Sequence, residues 1–323
     1  FVGILTLRRN ERGRTRRSTS LPNSNEAWQG SGGTCSASSA SGRFRNWHCS
    51  SFRLMNNLHS NALLQSIKDA PLLVGALPEA ASLDRALLGM PTSGMRLNTN
   101  QKLGHLYEDA LRLLLSESDQ LELLADHVQV FDRKQITLGE MDYILRAVRT
   151  QQVFQLELAV KFYLGVPTAD GWQFPGPDPH DNWQRKLQHM RTHQLPLAQR
   201  PEAMSLLRER WGCERVKVRQ LIYGCIFYPM GVAEFPLPES VRADCRKGCW
   251  LYAQDWERFF AGISEVCMVP KPLWPVEMTA ALRESLPRVS VSALHAASAQ
   301  RCVMFVLPDA EEPHFLVPNH WPG

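Results

Sequence analysis

The sequence predicts an α/β protein: a mixed sheet flanked by helices, with helices before it and a β-rich part after it. Three observations carry that prediction. Residues 154–164 alternate without a break, with Phe154, Leu156, Leu158, Val160, Phe162 and Leu164 at even positions and Gln155, Glu157, Ala159, Lys161 and Tyr163 at odd ones. A period of two belongs to a strand with one apolar and one functionalised face. Residues 100–116 put Leu103, Tyr107, Ala110, Leu111 and Leu114 on a single helical stripe. Residues 216–228 are crowded with β-branched and aromatic side chains, the composition of a further strand. With 323 residues, 44% of them hydrophobic and 21% charged, the chain has an ordinary globular balance and enough length to bury a large core.

The first 53 residues stand apart. They hold nine arginines and two glutamates, so a chain of net charge +4 is net acidic beyond Arg53. A globally basic coat for nucleic acid is thereby excluded for the folded part, and any such contact must come from a local patch. Six arginines fall within 8–17, and 30–42 is nearly all Gly, Ser, Ala and Thr. Such compositions bury too little apolar surface to offset the entropy of ordering. The apolar residues 1–7 precede the arginines, the reverse of a secretory leader. The chain begins at Phe1, and its first methionine is Met55. Three readings stand for this segment: sequence translated ahead of a later start, a disordered tail, or a nucleic-acid-binding arm. The expected division is 1–53 as a disordered or non-native extension, 54–99 as a helical region, 100–230 as the α/β core and 231–323 as the β-rich region.

Within 54–88, Leu58, Leu63, Leu64 and Ile67, then Leu72, Leu73 and Leu77, predict a helix, a break at Pro71 and a second short helix. A loop with Pro91, Gly94 and Asn98 leads to the helix of 100–116. Residues 121–125 read as a short turn, 127–131 and 141–145 alternate as strands, and 149–152 form a hairpin turn. A proline-rich loop after Gly165, a basic helix over 180–194 and a helix over 201–211 precede the strand of 216–228. Residues 229–238 read as a linker. Short elements follow: 250–260, a helix near 276–285, and strands at 302–307 and 314–317. No internal repeat and no apolar run of about 18 residues is present, which excludes a helical membrane span. Eight cysteines make no disulfide scaffold and read as reduced thiols of a cytoplasmic protein.

Acidic residues fall at particular places in this order: Glu108 in mid-helix, Asp142 on one strand, Glu157 on the next, with Lys161 on the same face. Carboxylates that converge on one point bind hard cations such as Mg²⁺, and a cation so held activates water and neutralises phosphoryl charge. A nearby lysine positions that water or stabilises the transition state. The same residues also read as an ordinary solvated surface pair. The completeness of the apolar face of 154–164 argues for an interior strand, where Glu157 and Lys161 under a covering layer need partners.

The segments LGEMDYILRAV at 138–148 and FQLELAVKFYLG at 154–165 resemble a bacterial family, domain-of-unknown-function family 1853. DNWQRKLQHMRTHQLPL at 181–197, YGCIFYP at 223–229, KPLWP at 271–275 and FLVPNHWP at 315–322 resemble it in the same order. The family is in turn similar to the PD-(D/E)XK nuclease-like superfamily. The resemblance therefore implies a restriction-endonuclease-like sheet and a nuclease that uses Mg²⁺ (or Mn²⁺) to hydrolyse DNA or RNA. It implies Glu108, Asp142 and Glu157 as metal ligands, and Lys161, Glu157 and Asp142 as the catalytic set. The superfamily spaces glutamate and lysine by two. Here Ala159 takes the glutamate's place and Glu157 stands two residues earlier, roughly 13 Å of backbone from Lys161 at about 3.3 Å per residue. Glu140, in phase with Asp142, can supply the missing oxygen; alternatively, the site is degenerate.

Arg185, Lys186 and Arg191 on one helix, and Arg215, Lys217 and Arg219 along one strand, are the candidates for phosphate contacts, with solvated charge as the other reading. His189 and His193 have a metal-ligand spacing, but Met190 stands where a zinc protease has its glutamate, so they read as surface histidines. Cys245 and Cys249 lack a second cysteine pair. The alternative function, from another class, is a catalytically degenerate nuclease-like module that binds nucleic acid or a protein.

Overall fold

The structure is a computed structural model that describes residues 57–323, except 93 and 233. The expectations for residues 1–53 lie outside the described residues. Helix α1 (Asn57–Asp69) buries Leu63, Leu64 and Ile67 completely and ends before Pro71. A two-residue strand β1 (Ala81–Ser82) follows. Helix α2 (Leu103–Ser116) buries the predicted stripe of Tyr107, Ala110, Leu111 and Leu114. Three strands then form an antiparallel meander: β2 (Leu121–Phe131), β3 (Thr137–Ala147) and β4 (Val153–Leu164). Residues 121–125 are thus the start of β2 and not a turn. A register shift between Leu123 and Ala125 breaks the alternation there, and the strand signal with it.

A small hairpin, β5 (Val166–Thr168) with β6 (Gly171–Gln173), leads to helix α3 (Trp183–His189), capped by the Asn182 side chain. A wider π turn (Met190–Gln194) and a 3₁₀ turn (Leu197–Gln199) join it to α4 (Pro201–Trp211). Strand β7 (Lys217–Pro229) lies parallel to β4. Its Gly224, at φ +154°, passes so close to the Lys161 carbonyl that any Cβ would overlap it.

Leu72, Leu73 and Leu77 are buried, as their apolar character requires, but they are not helical. Residues 72–75 run along the edge of β7: Leu73 N–H donates to Ile222 O at 2.7 Å, and Gln220 Nε2 donates to Gly75 O at 2.6 Å, while Leu77 closes a turn with Ala80. The sheet edge satisfies this backbone, so the second helix is not needed.

Strand β8 (Arg246–Tyr252) continues the sheet, parallel to β7. A one-turn helix α5 (Trp256–Phe259) precedes β9 (Glu265–Met268). Helix α6 (Ala280–Glu284) starts at its Thr279 cap, later than the sequence predicts, and is followed by β10 (Arg288–Ser290) and α7 (Val291–Ser298). Strands β11 (Val303–Val306) and β12 (His314–Val317) complete the chain. The result is one large mixed sheet flanked by helices, in the order β10-β9-β11-β12-β8-β7-β4-β3-β2, with β1 beside β7.

Both faces of this sheet are covered. One face carries a single continuous core, in which α1, α2 and the Leu273–Trp274 region pack on Leu156, Phe162, Leu221, Tyr223, Phe227 and Phe315. The other face carries three separate apolar clusters. Leu197, Ala203 and Leu207 meet Met141 and Ile144. Trp183, Leu187 and Leu195 meet Tyr163 and Ile222. Val291, Leu294 and Phe260 meet Leu251, Phe305 and Leu316.

Candidate functional site

The seam between the first two of those clusters is polar. Gln155 and Glu157 lie there at 0% and 6% exposure, under the π turn and 3₁₀ turn that follow α3. The functionalised face of β4 is therefore covered, and its charges have the partners that burial demands. Gln155 is the clamp. Its Nε2 donates to Glu157 Oε1 at 2.7 Å and to Gln194 O at 3.0 Å, and its Oε1 accepts from Ala198 N–H at 3.0 Å.

The β3–β4 ladder ends at Tyr143 opposite Leu156. One residue further, side chains replace it: Leu158 N–H donates to Asp142 Oδ2 at 2.8 Å, and Asp142 N–H to Glu157 Oε1 at 3.4 Å. Two carboxylates thus sit where adjacent strands part. Burial first, and then the Asp142 charge, push the Glu157 carboxyl well above its ordinary value. Burial pushes Asp142 up to about 6; Glu108 and Glu140 add to the rise, against the Leu158 hydrogen bond and His127. The remaining oxygens, Asp142 Oδ1 and Glu157 Oε2, take no hydrogen bond from the described residues.

Glu108 stands on α2, fixed to β3 by Tyr143 OH, which donates to the Glu108 carbonyl at 2.7 Å. Its carboxylate pairs with His105 at 2.9 Å and lies 3.9 Å from His127, whose other ring nitrogen meets Glu140 at 3.1 Å. Partial burial favours a neutral His127 ring, but the Glu140 hydrogen bond and the Glu108 charge prevail and raise its pKa. Lys161 Nζ lies 2.8 Å from Asp181 Oδ2, while Tyr163 OH donates to Asp181 Oδ1 at 3.3 Å. Lys186 Nζ donates to Gln194 Oε1 at 2.7 Å. Burial and the Lys161 charge lower the pKa of Lys186, against Asp181, Glu157 and Asp142.

The structure therefore brings Asp142, Glu157 and, at longer range, Glu108 together, and it places Lys161 in an ion pair farther along β4. Sequence reasoning passed over Asp181, the clamp role of Gln155, and His127, which has a positive φ of 48° within β2. Only Gln155 left a signal, as a polar residue on the face that carries Glu157. The basic residues do not form one surface. The parallel register sets Glu157 beside Gln220 and Leu156 beside Arg219, so Lys217 and Arg219 belong to the opposite face from Glu157, while Arg215 lies in the loop before β7. Arg185 and Lys186 lie on the side of the carboxylates; Arg185 donates to His180 O at 2.8 Å. Arg191 pairs with Glu79 at 2.9 Å and Glu239 at 3.3 Å.

One buried and one half-buried carboxylate, each with an oxygen to spare, fit a hard cation that keeps most of its water. They do not fit a cation enclosed by protein: among the described residues, no three His, Cys, Asp or Glu side chains gather as a metal group. Nor is any described helix long and apolar enough to cross a membrane.

The fold and site define a mixed α/β protein with an acidic pair, Glu157 buried and Asp142 half-buried, at a strand fork. Residues 45–312 match the family described as "Domain of unknown function (DUF1853)", and the chain belongs to that family. No curated protein and no solved structure matches the chain significantly.

Proposed function

We propose that the protein is a metal-dependent nuclease of the PD-(D/E)XK kind, hydrolysing phosphodiester bonds in DNA or RNA. The observation that carries the reading is the fork: Asp142, half-buried, and Glu157, buried, replace the β3–β4 ladder with two carboxylates whose proton affinities are raised. Charge repulsion held on a rigid sheet marks a site that a cation would relieve. The order of elements supports it too, with helix, three-strand meander, helix, and a strand parallel to the third.

In this reading Asp142 and Glu157 hold Mg²⁺ (or Mn²⁺) through the oxygens that Leu158 and Gln155 do not occupy. The bound ion would neutralise phosphoryl charge and acidify a water. Glu108 adds negative charge from α2, within the field of Asp142. A lysine beside the pair stabilises the transition state, a role the resemblance gives to Lys161. Arg185 and Lys186 meet the phosphate backbone on the same side, and Arg191 remains tied to Glu79 and Glu239.

The test is cleavage of labelled single- and double-stranded DNA and RNA by the full chain, with Mg²⁺, Mn²⁺ or EDTA, beside Asp142→Asn. Metal-dependent cleavage that falls at least about 100-fold in the variant is the expected result. Mn²⁺ should also raise the melting temperature of the wild type alone. A second reading, a non-catalytic nuclease-like module that binds nucleic acid or a protein, is favoured by Ala159 at the usual glutamate position and by the two-carboxylate set. Absence of both cleavage and metal-induced stabilisation would establish it over the first.

A further inference from the structure

We propose that Lys186, carried on α3, is the lysine that serves the Asp142–Glu157 pair, while Lys161 is a structural cation that fixes the start of α3. The inference rests on the reading of the pair as a hydrolytic metal site.

Hydrogen bonds separate the two lysines. Lys161 is neutralised by Asp181 at 2.8 Å, and Tyr163 OH completes that contact. Asp181 immediately precedes the Asn182 cap of α3, so this ion pair holds the helix to β4. Lys186 has no carboxylate within ion-pair distance among the described residues. Its hydrogen-bond acceptor is a neutral amide, Gln194 Oε1. The main-chain carbonyl of Gln194 accepts from Gln155 Nε2, which also donates to Glu157 Oε1. Lys186 is thus built into the clamp that holds Glu157, one residue beyond it along the chain of hydrogen bonds.

The charges that face Lys186 are Lys161 on one side and Asp181, Glu157 and Asp142 on the other. Its ammonium is half-buried, carries three N–H donors, and uses one on the amide. Even a half-buried ammonium gains from a counter-anion, and a phosphoryl oxygen brought to the carboxylate pair supplies that anion. In the reaction a water oxygen forms the new bond to phosphorus and the ester P–O bond breaks. The water's protons pass to the leaving oxygen and to solvent, and Lys186 keeps its own. Its contribution is charge placed where negative charge develops.

The experiment measures Mn²⁺ affinity by calorimetry and cleavage by the full chain, for wild type, Lys186→Met, Lys186→Arg and Lys161→Ala. Methionine keeps the packed stem and removes the charge. Lys186→Met should bind Mn²⁺ several-fold more tightly, because a neighbouring cation no longer repels it, and should cleave at least about 100-fold more slowly. Lys186→Arg should restore the wild-type Mn²⁺ affinity. Lys161→Ala should lose less cleavage and show a lower melting temperature, since it releases α3. A Lys186→Met protein whose Mn²⁺ affinity is unchanged, or whose cleavage stays within a factor of about three of wild type, overturns the assignment with the site reading intact. If the Met variant fails to fold, Lys186→Arg decides: arginine keeps the charge, so loss of wild-type Mn²⁺ affinity in a folded Arg variant equally overturns it. A wild type that neither binds Mn²⁺ nor cleaves overturns the site reading, and the assignment with it.

Discussion

One face of the sheet is filled in two different ways. In the C-terminal wing, Leu251, Val303, Phe305 and Leu316 meet Val291, Leu294 and Phe260, and apart from His314 and Ser298 the filling is hydrocarbon. At the β3–β4 fork the corresponding face presents Gln155, Asp142 and Glu157, and the filling is amide and carboxylate. Burial is as complete in one as in the other, with Leu316 at 0% exposure and Glu157 at 6%. The energetics are opposite. A buried Leu or Phe contributes about 1.5–3 kcal/mol, whereas a buried carboxylate costs free energy that its hydrogen bonds only partly return. The wing spends its second face on stability. The centre keeps a destabilising arrangement, which is the signature expected of a functional site.

The sharpest way to break this contrast is to disrupt the wing. Phe305 is fully buried, 5.3 Å from the Phe260 ring and stacked on His314 at 5.2 Å. Phe305→Ala should cost about 3–5 kcal/mol in urea unfolding. Any activity of the folded fraction should survive, because the fork lies across β12, β8 and β7 from it. Loss of activity in proportion to the folded fraction fits; loss beyond it would show that the wing belongs to the site.

The next effect is a pH dependence in the centre. The Asp142 carboxyl rises from an ordinary 3.8 to about 6 in the folded protein. The folded state then holds more protons than the unfolded one between those values. Stability must fall as pH rises through that window and remain lower above it, and Glu157, also raised, extends the fall to higher pH. Asp142→Asn should remove its own share, flattening the slope and gaining about 2 kcal/mol at pH 8 relative to pH 4. Unfolding curves at the two pH values check this; parallel behaviour of wild type and variant would mean that the pair is not coupled to folding.

What the sequence revealed follows the same division. The alternation of 154–164 was legible because each side chain of one face meets hydrocarbon, and the residues that the alternation sets on the other face are those of the fork. Residues 121–125 were not legible as strand, because a register shift at Leu123 and Ala125 disrupts the period. Leu72, Leu73 and Leu77 carry a helical spacing, yet Leu72 and Leu73 pair with the β7 edge and Leu77 closes a turn with Ala80. In the site, Glu108, Asp142 and Glu157 were readable as acids in a helix–strand–strand order. The pairing of Lys161 with Asp181 was not, since the partners are twenty residues apart and meet only when α3 folds over β4. The backbone of His127 leaves no mark in composition.

A third measurement asks how rigidly the centre is held. Gln155→Ala removes the bonds to Glu157, Gln194 O and Ala198 N–H. Unsatisfied buried groups should cost about 2 kcal/mol, and hydrogen exchange of the Ala198 amide should quicken more than that of wing amides such as Phe315. Equal acceleration in both regions would indicate global destabilisation instead of a local clamp.

The smallest effect separates the two faces. Arg185 lies on the carboxylate side, while Lys217, exposed and set beside Phe154, lies on the other. If nucleic acid reaches the fork, it approaches the α3 side, and each phosphate contact there adds to the salt dependence of binding. With Asp142→Asn as the background, Arg185→Ala should lower the slope of log affinity against log salt by about 1 and weaken every sequence alike. Lys217→Ala should leave that slope nearly unchanged. The reverse result would place the nucleic acid on the face that holds Lys217 and Arg219, away from the carboxylates. The acidic pair would then be a feature of the fold's interior and not of its substrate, because no strand of a continuous sheet lets one phosphate reach both faces.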